Sequence, residues 1–130
     1  MLVIDASACV RALLANDGWA PIARDRLTAP PVMWSETLST LRELSGRGVV
    51  SIPNAEAALA ALADAPVERL APPGLAAEAW HVAVTLGWAK TYDAEYVALA
   101  RILGARLLTL DARLRRGAGR LVDVIGPSEV

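Results

Sequence analysis

The sequence predicts an α/β three-layer sandwich built on a central, mainly parallel sheet. Two short apolar runs, 1–4 and 106–110, have the composition of buried strands, and each is followed at once by an aspartate, Asp5 or Asp111. Each aspartate leads into a segment with helical character, and alternating strands and helices are typical of parallel sheets. We therefore expect one domain over residues 1–130, with helices outnumbering strands.

The other elements follow from apolar spacing and from residues that begin or end helices. Predicted helices cover about 8–15, 19–27, 35–45, 55–63, 74–86 and 92–103, a short basic helical turn covers 112–116, and further strands are expected at 67–70 and 121–125. Ser7 is the expected N-cap of the first helix. The expected buried stripe of the helix over 35–45 consists of Trp34, Leu38, Leu41 and either Leu44 or Ser45. Gly104 is the expected C-cap before the 106–110 strand.

Composition excludes several classes of protein. Hydrophobic residues make up 55% of the chain, but no stretch of about 18 residues is free of charge, as a membrane helix requires. Cys9 is the single cysteine, which rules out an internal disulfide framework, and we expect a cytoplasmic protein. The formal charge is −1; without four acids gathered in one pocket, the remainder is 13 basic against 10 acidic residues.

Four acids are candidates for one metal site. Asp5, Asp93 and Asp111 stand at strand ends or helix starts that should meet at one edge of a parallel sheet, where ligands bind. Glu36 opens a helix directly after a Pro-Pro turn. Four carboxylates without a histidine or cysteine cluster suit Mg²⁺ or Mn²⁺ rather than zinc. Such a site favours hydrolysis of a phosphodiester by metal-activated water.

Other mechanisms lack the residues they need. His81 is the only histidine and lies within an amphipathic helix, and Cys9 lies among small apolar residues that predict a core position. Neither a Walker-type nor a dinucleotide-type glycine loop is present. We expect Glu43 and Glu95 to be solvated surface charges.

Four motifs together resemble the PIN-domain ribonucleases, and most closely the VapC-like toxins of type II toxin–antitoxin pairs. They are VIDAS at 3–7, WSETLSTL at 34–41, TYDAEYVALA at 91–100 and LLTLDARL at 107–114. The resemblance spans essentially the whole chain and agrees in the order and spacing of all four acids. It implies a PIN-like fold, Mg²⁺- or Mn²⁺-dependent cleavage of RNA, a homodimer, and inhibition by a small cognate antitoxin.

The resemblance also implies roles for individual residues. Asp5, Glu36, Asp93 and Asp111 match the four family acids, which bind the metal and carry catalysis, and Ser7 and Thr109 match hydroxyl positions beside it. Three arginines that follow the last acid, Arg113, Arg115 and Arg116, are candidate contacts for RNA phosphates. Among Trp19, Trp34, Trp80 and Trp88, we expect one or two to lie on a dimer or antitoxin surface.

Two other classes of function remain as alternatives. One is a non-catalytic PIN-like module that acts only by binding protein partners, which the intact set of acids disfavours. The other is a phosphotransfer domain. An aspartyl phosphatase would need a second aspartate two residues after the first, where this chain has Ser7, and a receiver domain would need a lysine ending a late strand, whereas Lys90 precedes the helix that carries Asp93.

Overall fold

The computed structural model describes residues 1–130 and contains a five-stranded sheet in which every neighbouring pair is parallel. The strands are β1 (Leu2–Ile4), β2 (Leu27–Ala29), β3 (Val67–Arg69), β4 (Arg106–Leu108) and β5 (Val124–Ile125). Their spatial order is β3-β2-β1-β4-β5. The predicted α/β sandwich with a central parallel sheet is confirmed.

The strand order reverses beside β1. The chain runs outward from β1 through β2 to the edge strand β3, and it then crosses back to place β4 on the other side of β1. Such a reversal opens a crevice beyond the carboxyl ends of the two strands at which it occurs, here β1 and β4. Asp5 directly follows β1, and Thr109 directly follows β4. The topology therefore brings two of the predicted site segments to one crevice.

Six α-helices cover the sheet. They are α1 (Ala6–Leu14), α2 (Val32–Gly46), α3 (Ile52–Leu62), α4 (Leu75–Leu86), α5 (Tyr92–Leu103) and α6 (Ala112–Ala118), with 3₁₀ turns at Ala20–Ile22 and Pro127–Glu129. α1, α2 and α3 pack on one another, whereas α4 and α5 form a second pair, and α5 contacts β1 and β4. Crossovers between parallel strands are right-handed, and the chain reverses its direction across the sheet after β3. The pair α4 and α5 therefore lies on the face of the sheet opposite to α1, α2 and α3.

The core is continuous from the sheet into both helical layers. Leu2, Val3 and Ile4 of β1 have no exposed surface, and Val97 and Leu99 of α5 are equally buried. Burying both faces of a strand explains why β1 is apolar throughout instead of alternating. None of the helices is long and apolar enough to cross a bilayer.

The helix predicted over 19–27 is wrong. Only the 3₁₀ turn at Ala20–Ile22 forms there, and the segment ends in β2, which lies between β1 and β3. Three residues are too few to show a strand period, so the apolar run looked like the end of a helix. The edge strand expected at 67–70 is confirmed as β3, and the strand expected at 121–125 is reduced to Val124–Ile125.

Two local expectations also need correction. Asp5, and not Ser7, is the N-cap of α1, since its side chain accepts a hydrogen bond from the backbone N–H of Ala8. The buried stripe of α2 consists of Met33, Thr37 and Leu41, whereas Leu38 is 50% exposed. Trp34 is only half-buried, and the guanidinium of Arg69 lies over its ring at 4.5 Å.

Candidate active site

Asp5 is the buried centre of the crevice. It follows the fully buried strand β1 and is itself 4% exposed. One carboxylate oxygen, Oδ1, accepts hydrogen bonds from Ser7 Oγ at 2.6 Å and from Ala8 N at 3.0 Å, and Oδ2 accepts one from Thr109 Oγ1 at 2.5 Å. A buried carboxylate needs such donors to offset its loss of hydration. Burial nevertheless dominates and raises the pKa of Asp5, with the negative charge of Asp93 adding to the effect.

Ser7 and Thr109 join the end of β1 to the end of β4. Besides donating to Asp5, the Thr109 hydroxyl accepts a hydrogen bond from Asp111 N at 2.9 Å. The Ser7 hydroxyl accepts one from Leu110 N at 2.9 Å and lies 3.3 Å from the Thr109 hydroxyl. Each hydroxyl therefore donates a hydrogen bond to Asp5 and accepts one from the backbone after β4. These bonds position Asp5 relative to Asp111.

Asp111 begins the next helix in the same manner as Asp5 begins α1. Its Oδ1 accepts hydrogen bonds from Arg113 N at 2.9 Å and Leu114 N at 3.4 Å, which makes it the N-cap of α6. A capping role and a place in the crevice are thus compatible, because one carboxylate has enough lone pairs for both. Unlike Asp5, Asp111 is only half-buried.

Asp93 lies in the first turn of α5, and its carboxylate accepts no hydrogen bond from the protein. Partial burial raises its pKa, the negative charge of Asp111 raises it further, and the nearby guanidinium of Arg113 lowers it. A helix N-terminus is a favourable place for an acid, but here like charge and burial outweigh that advantage. Asp93 therefore carries an unsatisfied carboxylate into the crevice.

Glu36 is positioned by a tyrosine on the opposite helical layer. The hydroxyl of Tyr96, which is 1% exposed, donates a hydrogen bond of 2.5 Å to Glu36 Oε1. Burial is the main reason that the pKa of Glu36 is raised, and the charges of Asp93, Asp5 and Glu95 contribute to the increase. The pKa of Tyr96 is raised as well, first by burial and then by Glu36, so the phenol remains a donor.

The sequence interpretation assigned no separate role to Tyr96. In the structure its hydroxyl orients Glu36. The available signal was its position one helical turn after Asp93, together with the need of a buried tyrosine for a hydrogen-bond partner. The interpretation also treated Glu95 as a solvated charge, but the side chain is half-buried, and burial raises its pKa. Glu43 is exposed as expected.

The structure thus brings the predicted acids together: the charge of Asp93 acts on Asp5 and Glu36, and the charge of Asp111 acts on Asp93. No three acidic, histidine or cysteine side chains converge tightly enough to enclose an ion. Mg²⁺ seldom has a complete protein cage; it binds one or two carboxylates and fills its octahedron with waters and substrate phosphate oxygens. The candidate metal ligands are all carboxylate oxygens, and a cation would relieve the repulsion between their negative charges. The acids therefore fit a divalent metal of this kind.

A cleft with two cationic side chains borders Asp93. It has a volume of about 470 Å³, and its charged lining residues are Lys90, Asp93 and Arg113. Of the three predicted arginines, Arg113 reaches this cleft, whereas Arg115 binds Glu129 at 2.5 Å and Arg116 is exposed on α6. Lys90 was not predicted, because a lone lysine gives no pattern in the sequence.

The candidate nucleophiles of other mechanisms lie elsewhere. Cys9 is fully buried within α1, and burial raises the pKa of its thiol to about 11, so little thiolate is available at neutral pH. His81 is exposed on α4 and is absent from the crevice. Catalysis by either side chain is therefore not supported.

The fold and the site define a class of protein: a parallel α/β domain with an acidic crevice at the switch point of its sheet. A family model described as "PIN domain" matches residues 2–120. The VapC ribonuclease Mb0985 of Mycobacterium bovis is 40% identical over 116 residues, which is 88% of each chain. The ribonuclease VapC3 of Mycobacterium tuberculosis is 37% identical over 120 residues, 88% of this chain and 85% of the relative.

Solved structures agree with this result. The crystal structure of PAE2754 from Pyrobaculum aerophilum superposes with a TM-score of 0.78 and 26% identity, covering 98% of this chain and 90% of that one. VapBC-1 from nontypeable Haemophilus influenzae shares the fold at a TM-score of 0.65 and 17% identity, with coverages of 98% and 99%. The chain belongs to the PIN domain family.

Replacing Asp93 tests the repulsion between the acids. We expect Asp93→Asn to raise the melting temperature in chelator by about 3 °C, equivalent to roughly 1 kcal/mol, because the folded state disfavours the charged form. A carboxylate with a raised pKa stabilises the fold below its unfolded value of 3.8 and loses that contribution as pH rises through its folded value. The difference between variant and wild type should therefore grow as the pH rises above 3.8 and through the raised pKa of the folded state.

The control is Asp64→Asn, at an exposed aspartate without a side-chain hydrogen bond or ion pair, which should leave the melting temperature unchanged. Added Mg²⁺ should stabilise wild type more than Asp93→Asn, because binding to the folded state stabilises it by mass action. A lower stability of Asp93→Asn in chelator would identify Asp93 as a structural residue instead.

Proposed function

We propose that this protein is a metal-dependent endoribonuclease, the toxin of a type II toxin–antitoxin pair, acting in the cytoplasm. The observation that carries the proposal is the crevice at the ends of β1 and β4, which gathers four acids. Burial and like charge raise the pKa values of three of them, Asp5, Glu36 and Asp93, and Asp111 contributes to the raised pKa of Asp93. The names of its VapC relatives, which are ribonucleases, support the same activity.

In the proposed site Asp5 and one or more of Glu36, Asp93 and Asp111 would hold Mg²⁺ or Mn²⁺, with waters completing its coordination, and the ion would lower the pKa of a bound water and polarise the phosphate. Asp5 is already fixed by its three donors, so it needs no reorganisation when a cation arrives. Ser7 and Thr109 keep that carboxylate in place, and Tyr96 holds Glu36. Asp93, which lacks a protein donor, gains most from a cation.

The RNA strand is proposed to reach the crevice through the cationic cleft beside Asp93. Arg113 and Lys90 line this cleft and form no ion pair, so both are available to phosphate oxygens. Arg115 and Arg116 remain candidate phosphate contacts, although Arg115 would first have to leave Glu129. One bound divalent cation would change the formal net charge from −1 to +1, which favours a polyanion.

The antitoxin is proposed to dock in an apolar groove between α2 and α3. The groove has a volume of about 270 Å³, and its apolar walls include Leu38, Ile52 and Leu59, which are 50%, 60% and 42% exposed. Exposed apolar side chains in a groove suit the apolar face of an amphipathic helix. A homodimer, which the resemblance implies, completes the proposed assembly.

Asp5→Asn tests the activity. We expect RNA cleavage in Mg²⁺ to fall by more than the roughly 10–100-fold that loss of an outer-shell partner usually costs. The circular dichroism spectrum should not change, because the amide can replace the carboxylate in the capping bond. Asp64→Asn should cleave at the wild-type rate. Wild-type cleavage by Asp5→Asn would misplace the site, and wild type that cleaves no RNA with any divalent metal would favour the non-catalytic binding module.

Single arginine variants test the path of the RNA. For Arg113→Ala, we expect the slope of log K against log salt for single-stranded RNA to fall by about 0.7, the loss of one phosphate contact. Arg115→Ala should change the slope least, because its guanidinium is already engaged with Glu129. Arg24→Ala is the control, since it is exposed just before β2, at the opposite edge of the sheet. An unchanged slope for Arg113→Ala would remove this residue from the binding surface.

A further inference from the structure

A second cleft opens at the same edge of the sheet, next to the acids. Its volume is about 570 Å³, and its walls include Pro31, Pro72, Trp80, Thr91 and Glu95. Pro31 follows β2, Pro72 follows β3, and Thr91 is the N-cap of α5, two residues before Asp93. The Trp80 cleft, as we call it, therefore continues the proposed active site toward β3.

The chemistry of the Trp80 cleft combines a flat aromatic wall with one unpaired acceptor. Trp80 is 68% exposed, and its indole has no partner among the cation–π contacts of the chain. The Glu95 side chain is half-buried, yet its carboxylate takes part in no hydrogen bond or ion pair. A partly desolvated acceptor without a donor is costly, so a ligand that supplies N–H groups would be favoured.

We propose that the Trp80 cleft binds one unpaired base of the RNA strand, stacked on Trp80, with its N–H groups donating to the Glu95 carboxylate. The inference rests on the proposed ribonuclease function and adds a determinant of sequence preference to it. Stacking on aromatic side chains and hydrogen bonding along the Watson–Crick edge are the usual means by which proteins recognise unpaired RNA bases. A purely apolar protein segment would cover Trp80 but leave Glu95 without a donor.

Hydrogen-bond complementarity selects guanine. Guanine presents two adjacent donors, N1–H and N2–H, which match the two oxygens of one carboxylate. Cytosine and adenine each offer a single exocyclic amino group beside a ring acceptor. Uracil offers one N–H between two carbonyl oxygens, which a carboxylate repels. The expected order of binding is guanine first, cytosine and adenine next, and uracil last.

The direct test is binding of the four ribonucleoside 5′-monophosphates in chelator, followed by the indole N–H resonances of the four tryptophans. The Trp80 signal is identified by its absence in Trp80→Ala. We expect guanosine monophosphate to shift this signal saturably and uridine monophosphate to bind about 10-fold or more weakly, the size of one stacking or bidentate contact. Glu95→Gln should lose the preference for guanine. Trp80→Ala should bind all four monophosphates more weakly, which is measured by titration calorimetry because this variant lacks the reporting indole.

The matched control is Val84→Ala, which removes a 66% exposed side chain one turn further along α4, outside the cleft. It should bind all four monophosphates as wild type does. Cleavage of uridine-rich oligonucleotides carrying one guanine, compared with the same oligonucleotides carrying one adenine, gives a second readout. The ratio of kcat/KM values should fall about 10-fold in Glu95→Gln.

The outcomes separate this inference from the proposed function. Equal binding of the four monophosphates, or an unchanged preference in Glu95→Gln, would overturn the base-binding role while leaving cleavage intact. A guanine-dependent shift of Trp80 in a protein that cleaves no RNA would support the cleft and contradict the ribonuclease. A Trp80 signal that changes with protein concentration, and not with nucleotide, would make the cleft a self-association surface and overturn the inference.

Discussion

The buried carboxylate of Asp5 is the constraint on which the site depends. It lies at the end of a fully buried strand, where an unpaired charge would be prohibitively costly. Two hydroxyls and one backbone N–H supply its hydrogen bonds, and bonds to a charged group contribute about 1.5–3 kcal/mol each. Because Thr109 comes from the segment after β4, satisfying Asp5 also fixes the register between the two central strand ends.

The same arrangement places carboxylates close enough to repel one another, and a bound cation would relieve this repulsion. Burial is the main cause of the raised pKa values of Asp5, Glu36 and Asp93; the charge of Asp93 adds to the first two, and the charge of Asp111 adds to the third. Folding brings these acids together at a cost, which the core over β1 and α5 must offset. Helix capping accounts for Asp5 and Asp111 but not for the addition of Glu36 and Asp93 beside them, so the complete cluster at the switch point of a parallel sheet is best explained by function.

Much of this architecture could be predicted from residues alone. Mainly apolar runs followed by aspartate predicted β1 and β4, although each strand has only three residues, and the regular apolar spacing over 92–103 predicted α5. β2 has the same length as β1, but no aspartate follows it to mark a strand end, and its position is set by pairing with β1. Local signals cannot report such tertiary choices.

The site shows the same division. The acids could be selected because their positions at strand ends and helix starts follow from topology. The roles of Tyr96 and Lys90 could not be predicted from the sequence. The contact of Tyr96 with Glu36 and the position of Lys90 beside Asp93 depend on how separate elements pack. The cap of α1 was assigned to Ser7 because both Asp5 and Ser7 are good capping residues, and only the bond to Ala8 N distinguishes them.

The most direct measurement of the central claim is the position of Mn²⁺ in crystals of the wild-type protein, located by anomalous diffraction. The account predicts a peak within coordination distance of the Asp5 carboxylate and of at least one of Glu36, Asp93 and Asp111, with the remaining positions filled by water. Mn²⁺ bound only at sites away from the ends of β1 and β4, with the crevice empty at saturating metal, would contradict it.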